Sequence, residues 1–237
     1  MLEQDAQEYL RTMTGNQLAQ FHDSQLESII ELVQNKRQML VVQKTGWGKS
    51  AVYFIATKLL RDQHKGPSII ISPLIALMRN QVQSAARLGL RVATVNSSLT
   101  KYEREQNEKK ITSGQVDAII IAPEQLANDN FVQNVLNTVL SNVSMFVVDE
   151  AHCISDWGHD FRPDYRRIVR ILQAMPKNLP VLATTATAND RVVKDIQGQL
   201  GQHILISRGE LTREALHLQN VPVMAKATRL AWLVQAL

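Results

Sequence analysis

The chain has 237 residues, 45% of them hydrophobic and 20% charged, which is the balance of an ordinary globular protein. Its single cysteine, Cys153, excludes a disulfide framework and a cysteine-ligated zinc site within the chain. No apolar stretch approaches the roughly 20 residues needed to cross a bilayer. The net charge of +4 permits an anionic partner without requiring one. These features favour a cytoplasmic protein that does not associate with membranes.

Short apolar runs alternate with longer amphipathic segments along the chain. After an N-terminal helical segment at residues 1–37, seven runs are predicted to be buried strands: Met39–Val42, Ile69–Ser72, Val92–Val95, Ala118–Ala122, Met145–Val148, Val181–Thr184 and Ile204–Ile206. Helical patterns lie between them at Ser50–Arg61, Ile75–Leu88, Glu103–Thr112, Tyr165–Gln173 and Asp190–Leu200. This alternation predicts an α/β fold in which helices flank a central parallel sheet.

A change of pattern near residue 208 suggests a domain boundary. Turn-forming residues follow at Gly209 and Pro222, and a helical stretch begins at Lys226 and shows no helix-ending signal. We therefore expect one domain over residues 1–207, including the N-terminal helical segment, and a linker with the start of a further domain over 208–237.

A phosphate-binding loop is predicted after the first strand, at Lys44–Ser50. Gly46 and Gly48 allow backbone N–H groups to turn inward around phosphate oxygens, and the following helix adds its N-terminal dipole. Lys49 can reach the β- and γ-phosphates and the Ser50 hydroxyl can bind Mg²⁺. The alternative is a glycine turn with a surface lysine. The strand before the loop and the helix after it favour the phosphate site.

An acidic pair ends the fifth predicted strand. Asp149 is placed to make a second contact with magnesium, and Glu150 to orient or deprotonate an attacking water. The alternative is an ordinary polar exit from a strand. His152 is either a core histidine or a link from the nucleotide to neighbouring loops, and we favour the link.

A second strand end, at Ser72, offers hydroxyl and backbone groups to a nucleic-acid backbone, and Arg79 adds a positive charge. Taken alone, this segment is better explained as a plain strand–helix junction.

Together these motifs resemble the RecQ-type DNA helicases of superfamily 2, in the DEAH-type branch. The matching segments occur in collinear order over about residues 18–216: Phe21 with Gln25, Lys44–Ser50, Ser72–Val82, Pro123–Leu126, Asp149–His152, the aromatic-rich stretch Cys153–Tyr165, and Thr185–Thr187. The aromatic-rich stretch is the most specific of these features. The resemblance identifies the chain as the first RecA-like lobe of such a helicase.

The resemblance implies that ATP hydrolysis drives translocation along single-stranded DNA and unwinding of duplex DNA, with a role in DNA repair. It implies ATP binding by Phe21, Gln25, Thr45, Gly46, Trp47, Gly48, Lys49 and Ser50, with Lys49, Asp149 and Glu150 catalytic and Ser50 and Asp149 on Mg²⁺. It assigns coupling to His152, Trp157, His159, Phe161, Arg162, Thr185 and Thr187, and DNA contacts to Ser72, Pro73, Arg79, Asn80, Trp157 and Phe161.

The implied partners are single-stranded or duplex-junction DNA and a second RecA-like lobe that supplies an arginine finger. Three positions depart from the family pattern. His22 stands where arginine is usual, Asn80 where aspartate is usual, and Trp47 where a small residue is usual. These departures suggest a divergent bacterial branch.

Three other functions fit parts of the pattern. An ATP-gated nucleic-acid clamp would not separate strands, and an RNA remodeller would act on a different duplex. A P-loop kinase would need an acceptor pocket, and the helicase-like motifs between the two nucleotide motifs argue against it. Trp157 and Phe161 could also be ordinary core residues. The sequence leaves the oligomeric state, the polarity and the preferred DNA structure open.

Overall fold

The computed structural model describes residues 1–155, 164, 166–176, 178–210 and 225–236. A seven-stranded sheet forms its centre, with every paired strand parallel and the order β3-β4-β2-β5-β6-β1-β7. The strands are β1 (Gln38–Val42), β2 (Ser68–Ile71), β3 (Val92–Val95), β4 (Ala118–Ile121), β5 (Met145–Val148), β6 (Val181–Thr185) and β7 (Leu205–Arg208). The predicted α/β fold is confirmed. All seven apolar runs form strands, and their ends shift by no more than two residues.

The central strands are apolar throughout because both of their faces are covered. Every residue of β2, β4 and β5 is buried. Ile70 of β2, for example, is in register with Ile120 of β4 and with Val147 of β5. Isoleucine and valine suit such positions because their branched side chains pack well on a pleated surface.

Helices cover the two faces of the sheet as separate layers. They are α1 (Leu2–Thr14), α2 (Gln25–Val33), α3 (Lys49–Asp62), α4 (Ile75–Arg87), α5 (Lys101–Thr112), α6 (Asp129–Phe131), α7 (Asn137–Leu140), α8 (Arg166–Gln173), α9 (Asp190–Leu200) and α10 (Lys226–Ala236). Short 3₁₀ helices span Pro123–Ala127 and Ala151–Ile154, and a π-helical turn spans Val132–Leu136. Helices α1 to α4 contribute to one apolar cluster, and α5 to α9 contribute to the other.

The N-terminal segment forms two amphipathic helices that pack on α3. In α1 the residues Ala6, Leu10 and Met13 are buried, a spacing that places them on one helical face. In α2 the buried residues include Ile29 and Leu32. These helices join the N-terminal region to the same apolar cluster as α3.

The carboxyl ends of the strands meet at one edge of the sheet, where ligands bind in open α/β folds. Strand β1 leads into the predicted phosphate loop, β5 into Asp149 and Glu150, and β6 into Thr187. Since β6 lies between β1 and β5, the segments that follow these three strands are neighbours.

The sheet ends at the predicted domain boundary. The strand β7 pairs with β1 up to Arg208, and the next N–H, of Gly209, donates to the carbonyl of Val42 at 3.1 Å. Within the described ranges, no helix combines the length and the apolar character that a membrane span requires.

Candidate active site

The loop between β1 and α3 has the backbone shape of a phosphate cradle. Gly46 and Gly48 have φ values of 89° and 93°, in the left-handed region where glycine is favoured. At Gly48 a Cβ atom would lie 2.6 Å from the side-chain nitrogen of Gln25. Helix α3 begins at the next residue, Lys49, and directs its free N–H groups into the loop. The loop therefore needs both glycines and has the geometry for an anion.

The ammonium group of Lys49 lies against its own loop. Its Nζ donates to the carbonyl of Gln43 at 2.8 Å and to the carbonyl of Lys44 at 3.3 Å. Ser50 follows in the first turn of α3 and is half-buried, while Thr45 on the loop is exposed. The predicted lysine and hydroxyl ligands thus lie at the mouth of the loop.

The side chain of Gln25 ties the N-terminal motif to the phosphate loop. Its Oε1 accepts from the backbone N–H of His22 at 2.8 Å, and its Nε2 donates to the carbonyl of Trp47 at 2.5 Å. Gln25 is only 2% exposed and Trp47 is also buried, whereas Phe21 is half-buried at the edge of the apolar cluster. In addition to the predicted contact with adenine, Gln25 therefore has a structural contact that the sequence does not reveal.

Gln43 stands where the full phosphate-loop pattern has glycine, and its side chain is buried. Its backbone N–H donates to the carbonyl of Thr185 at 3.0 Å, which joins β1 to the end of β6. Its amide lies against Gly209, where an added Cβ atom would come within 2.3 Å of the amide oxygen. Gln43 thus connects the phosphate loop to β6 and to the point where the chain leaves β7.

The carboxylate of Asp149 accepts hydrogen bonds from two neutral side chains. The hydroxyl of Thr184 donates to Oδ1 at 2.7 Å, and Nε2 of Gln81 donates to Oδ2 at 3.2 Å. Burial of the carboxyl group raises the pKa of Asp149, an effect that the Thr184 bond and the charge of Lys49 only partly offset. A cation at Asp149 would relieve this cost, as expected for a metal ligand.

Glu150 adopts a left-handed backbone conformation with φ of 51°, which is uncommon for a residue other than glycine and is often found at functional sites. Its carboxylate lies 3.2 Å from Nδ1 of His152, which also lies 3.0 Å from the hydroxyl oxygen of Thr185. That hydroxyl donates its single hydrogen to the carbonyl of Thr187 at 3.0 Å, so its oxygen accepts from His152. This arrangement assigns the histidine proton to Nδ1 and links the acidic pair to the end of β6.

A cleft of about 290 Å³ opens where these segments meet. It is lined by Thr45, Pro73, Leu74, Glu150, His152, Ala186 and Thr187. The phosphate loop, the acidic strand end and the segments after β2 and β6 therefore share one cavity.

The residues predicted to contact nucleic acid include both buried and exposed ones. Ser72 and Pro73 are buried at the end of β2, and within the described chain Oγ of Ser72 has no hydrogen-bond partner. Arg79 and Asn80 are exposed on the outer face of α4. The remaining predicted coupling and DNA-contact residues lie outside the described residues: Trp157, His159, Phe161 and Arg162.

The structure adds three residues to the site that sequence reasoning missed: Tyr53, Gln81 and Thr184. All three are buried: Gln81 and Thr184 are polar, and Tyr53 is an aromatic core residue with a hydroxyl group. For Gln81 the sequence does offer one indication, because this polar residue interrupts the apolar stripe that Met78 and Ala85 form on α4. A polar residue on a buried stripe marks a local conflict that function commonly explains.

The sequence matches the family model described as "DEAD/DEAH box helicase" over residues 23–196. It is 38% identical over 170 residues to the ATP-dependent DNA helicase RecQ of Haemophilus influenzae, covering 72% of this chain and 26% of that protein. It is 38% identical over 176 residues to the ATP-dependent DNA helicase Q5 of Rattus norvegicus, covering 73% of this chain and 18% of that protein. The chain thus spans under a third of the length of these relatives.

Solved structures show a similar fold. A hypothetical ATP-dependent RNA helicase from Sulfolobus tokodaii superimposes with a TM-score of 0.65 at 20% identity, covering 87% of this chain and 57% of that one. The match confirms the fold class, and the sequence relatives confirm the resemblance to RecQ-type helicases.

Proposed function

The chain belongs to the DEAD/DEAH box helicase family, and from that premise we propose that it is the ATP-binding lobe of a RecQ-type DNA helicase. The observation that carries the proposal is the convergence of two motifs at one sheet edge. The glycine-shaped phosphate loop follows β1, the acidic pair Asp149–Glu150 follows β5, and both open on the same cleft. ATP hydrolysis at this edge would drive translocation on single-stranded DNA and unwinding of a duplex.

ATP is proposed to bind with its phosphates in the loop Thr45–Ser50. Lys49 would leave the carbonyls of Gln43 and Lys44 to contact the β- and γ-phosphates. Adenine is proposed to bind near Phe21 and Gln25, since the free lone pair and second N–H of the glutamine amide match N6–H and N7 of the base.

The donor set fits magnesium, a hard cation that prefers oxygen ligands. The hydroxyl of Ser50 and the carboxylate of Asp149 would hold the ion, and both belong to segments at the carboxyl edge of the sheet. When bound, Mg²⁺ supplies charge neutralisation on the phosphate oxygens. The raised pKa of the buried Asp149 supports this assignment, because a carboxylate that is costly to ionise in isolation gains most from a cation.

Glu150 is proposed to accept a proton from the attacking water. Its contact with Nδ1 of His152 orients the carboxylate, and the contact of His152 with Thr185 passes its position to the segment after β6. A second RecA-like lobe would supply the arginine that stabilises the transition state. We propose that this lobe begins after the linker within residues 208–237 and that residues 1–207 form the first lobe.

DNA is proposed to bind along the outer face of α4 through Arg79 and Asn80, with Ser72 and Pro73 at the start of that segment. The aromatic-rich stretch, with Trp157, His159, Phe161 and Arg162, would complete the coupling because it directly follows the acidic pair in the chain. Aromatic faces stack on unpaired bases with about 1–3 kcal/mol per base. The cytoplasm is the proposed compartment. The bacterial origin suggested by the three departures from the family pattern stays a prediction, because the relatives include a rat protein.

Strand separation by the full-length protein tests this function. Matched DNA and RNA duplexes with single-stranded tails would be incubated with the protein, ATP and Mg²⁺. We expect unwinding of the DNA duplex and little unwinding of the RNA duplex. Preferential RNA unwinding would support the RNA remodeller. ATP hydrolysis without strand separation on either duplex would support the ATP-gated clamp and overturn the proposal.

A further inference from the structure

Helix α4 places one polar side chain on its buried face. The buried stripe of this helix consists of Met78, Gln81 and Ala85, which follow helical spacing. An apolar residue at position 81 would bury its side chain without a desolvation cost, so the glutamine needs a compensating contact. Gln81 is 8% exposed, and its amide finds that contact on two other elements.

The amide nitrogen of Gln81 bridges two other elements. It donates to the hydroxyl of Tyr53 at 3.0 Å and to the carboxylate of Asp149 at 3.2 Å. Tyr53 is fully buried and lies one turn after Lys49 on α3. One side chain of α4 therefore touches both the helix that carries the phosphate-loop lysine and the carboxylate at the end of β5.

This contact does not complete the hydrogen bonding of Gln81. Its Oε1 is buried and has no hydrogen-bond partner in the described part of the chain. An unsatisfied buried acceptor lowers the stability of the folded protein. The bond to Tyr53 satisfies a buried hydroxyl, and the bond to Asp149 also fixes the orientation of a carboxylate at the candidate site.

We propose that Gln81 is a positioning residue that holds the Asp149 carboxylate in the orientation required for magnesium, and that helix α4 acts on the metal site through it. The inference rests on the proposed function of Asp149 as a magnesium ligand. Thr184 fixes one carboxylate oxygen through a 2.7 Å hydrogen bond, and Gln81 fixes the other. With both oxygens held, the carboxylate cannot rotate away from the phosphate loop. Hydrogen bonds of this kind orient metal ligands and tune their affinity.

The test is the Mg²⁺ dependence of nucleotide binding in the absence of DNA. A fluorescent ATP analogue would be titrated onto the full-length protein at a series of Mg²⁺ concentrations. We expect Gln81→Met, which keeps the length of the side chain and removes the amide, to raise the Mg²⁺ concentration for half-saturation by about tenfold. Gln83→Met is the matched control, because Gln83 lies on the same helix and is exposed. It should leave the Mg²⁺ dependence unchanged.

Thermal melting without nucleotide separates positioning from folding, because Gln81→Met should melt within a few degrees of the unmutated protein. Gln81→Asn keeps the amide but is one methylene shorter, so it should also raise the Mg²⁺ requirement. Unchanged Mg²⁺ dependence in both variants would overturn the inference. So would a loss of nucleotide binding that is the same at every Mg²⁺ concentration and is proportional to the drop in melting temperature, because that result would indicate damage to folding. If the unmutated protein bound the analogue without regard to Mg²⁺, the proposed metal role of Asp149 would fail instead.

Discussion

Two aspartates, one at each edge of the sheet, allow a comparison of the proposed binding site with a structural site. Asp149 follows β5 at the carboxyl edge, and burial raises its pKa. Asp117 precedes β4 at the amino edge, where burial also opposes ionisation, but hydrogen bonds from Arg91 and Arg61 lower its pKa to about 2. The difference lies in the partners.

The partners of Asp117 form a complete set. Its Oδ1 accepts from Nε of Arg61 at 2.8 Å and from Nη2 of Arg91 at 2.9 Å, and its Oδ2 accepts from the backbone N–H and Nε of Arg91. The hydroxyl of Thr184 and the amide of Gln81 orient Asp149 but bring no positive charge. Two arginines neutralise the carboxylate at the amino edge, whereas the carboxylate at the carboxyl edge is the proposed ligand of a cation.

The largest expected effect concerns chemistry at the carboxyl edge. Glu150→Gln should reduce ATP turnover by about 100-fold or more, because the amide cannot accept a proton from water, while ATP binding is retained. Lys49→Ala is the contrasting variant and should weaken binding itself. Both would be assayed in the full-length protein by nucleotide titration and by steady-state hydrolysis. Near-normal turnover by Glu150→Gln would remove it from the role of base.

The opposite result is expected at the amino edge. Asp117→Asn should lower the free energy of unfolding by about 2 kcal/mol, because it leaves two arginines beside a neutral group. Nucleotide binding at permissive temperature should not change. Asp190→Asn provides a control, since its pair with Arg208 is largely exposed and such pairs contribute about 0–1 kcal/mol. Urea denaturation measures both, and equal losses in the two variants would contradict the distinction.

A smaller effect is expected for the discrimination between adenine and guanine nucleotides. Gln25→Ala should reduce the preference for ATP over GTP by about tenfold, because guanine does not offer the N6–H and N7 pair that glutamine recognises. Competition between the two nucleotides for the fluorescent analogue measures this preference. If the unmutated protein used ATP and GTP equally, adenine recognition by Gln25 would be excluded. The contacts of Gln25 with His22 and Trp47 would then be its remaining role.

The smallest effect is a dependence of stability on pH. Because the folded-state pKa of Asp117 lies below its unfolded value near 4, its contribution is present at pH 5 and is lost as the pH falls toward 2. We expect about 1 kcal/mol of the unfolding free energy to be lost between pH 5 and pH 3 through this residue. The difference between the unmutated protein and Asp117→Asn should narrow by that amount over this range. A constant difference would show that Asp117 titrates normally in the folded protein.

Sequence patterns predict the fold well because strands that are buried on both faces of the sheet are apolar at every position. Runs such as Ile69–Ser72 have no polar face and must lie inside a layered sheet. The short helical turns between Pro123 and Leu140 were missed, since segments of three to five residues give too few positions to show a period.

The site is less predictable because only part of it is local in sequence. The phosphate loop is a single contiguous motif, and its glycines predict a backbone with positive φ values. The bridge from Gln81 to Asp149 joins residues 68 positions apart, and the contact of Gln25 with Trp47 joins residues 22 apart. Neither contact produces a periodic pattern in the sequence, so both are seen only in the folded structure.

The contact between Gly209 and Gln43 joins the point where the chain leaves the sheet to the residue before the phosphate loop. The chain leaves β7 at Arg208, and the amide of the residue before the phosphate loop lies against the next residue. Whatever follows Gly209 therefore starts from a point that is anchored to the loop predicted to hold the nucleotide. A bulkier residue at 209 would displace the Gln43 amide, because its Cβ atom would occupy space now filled by that side chain.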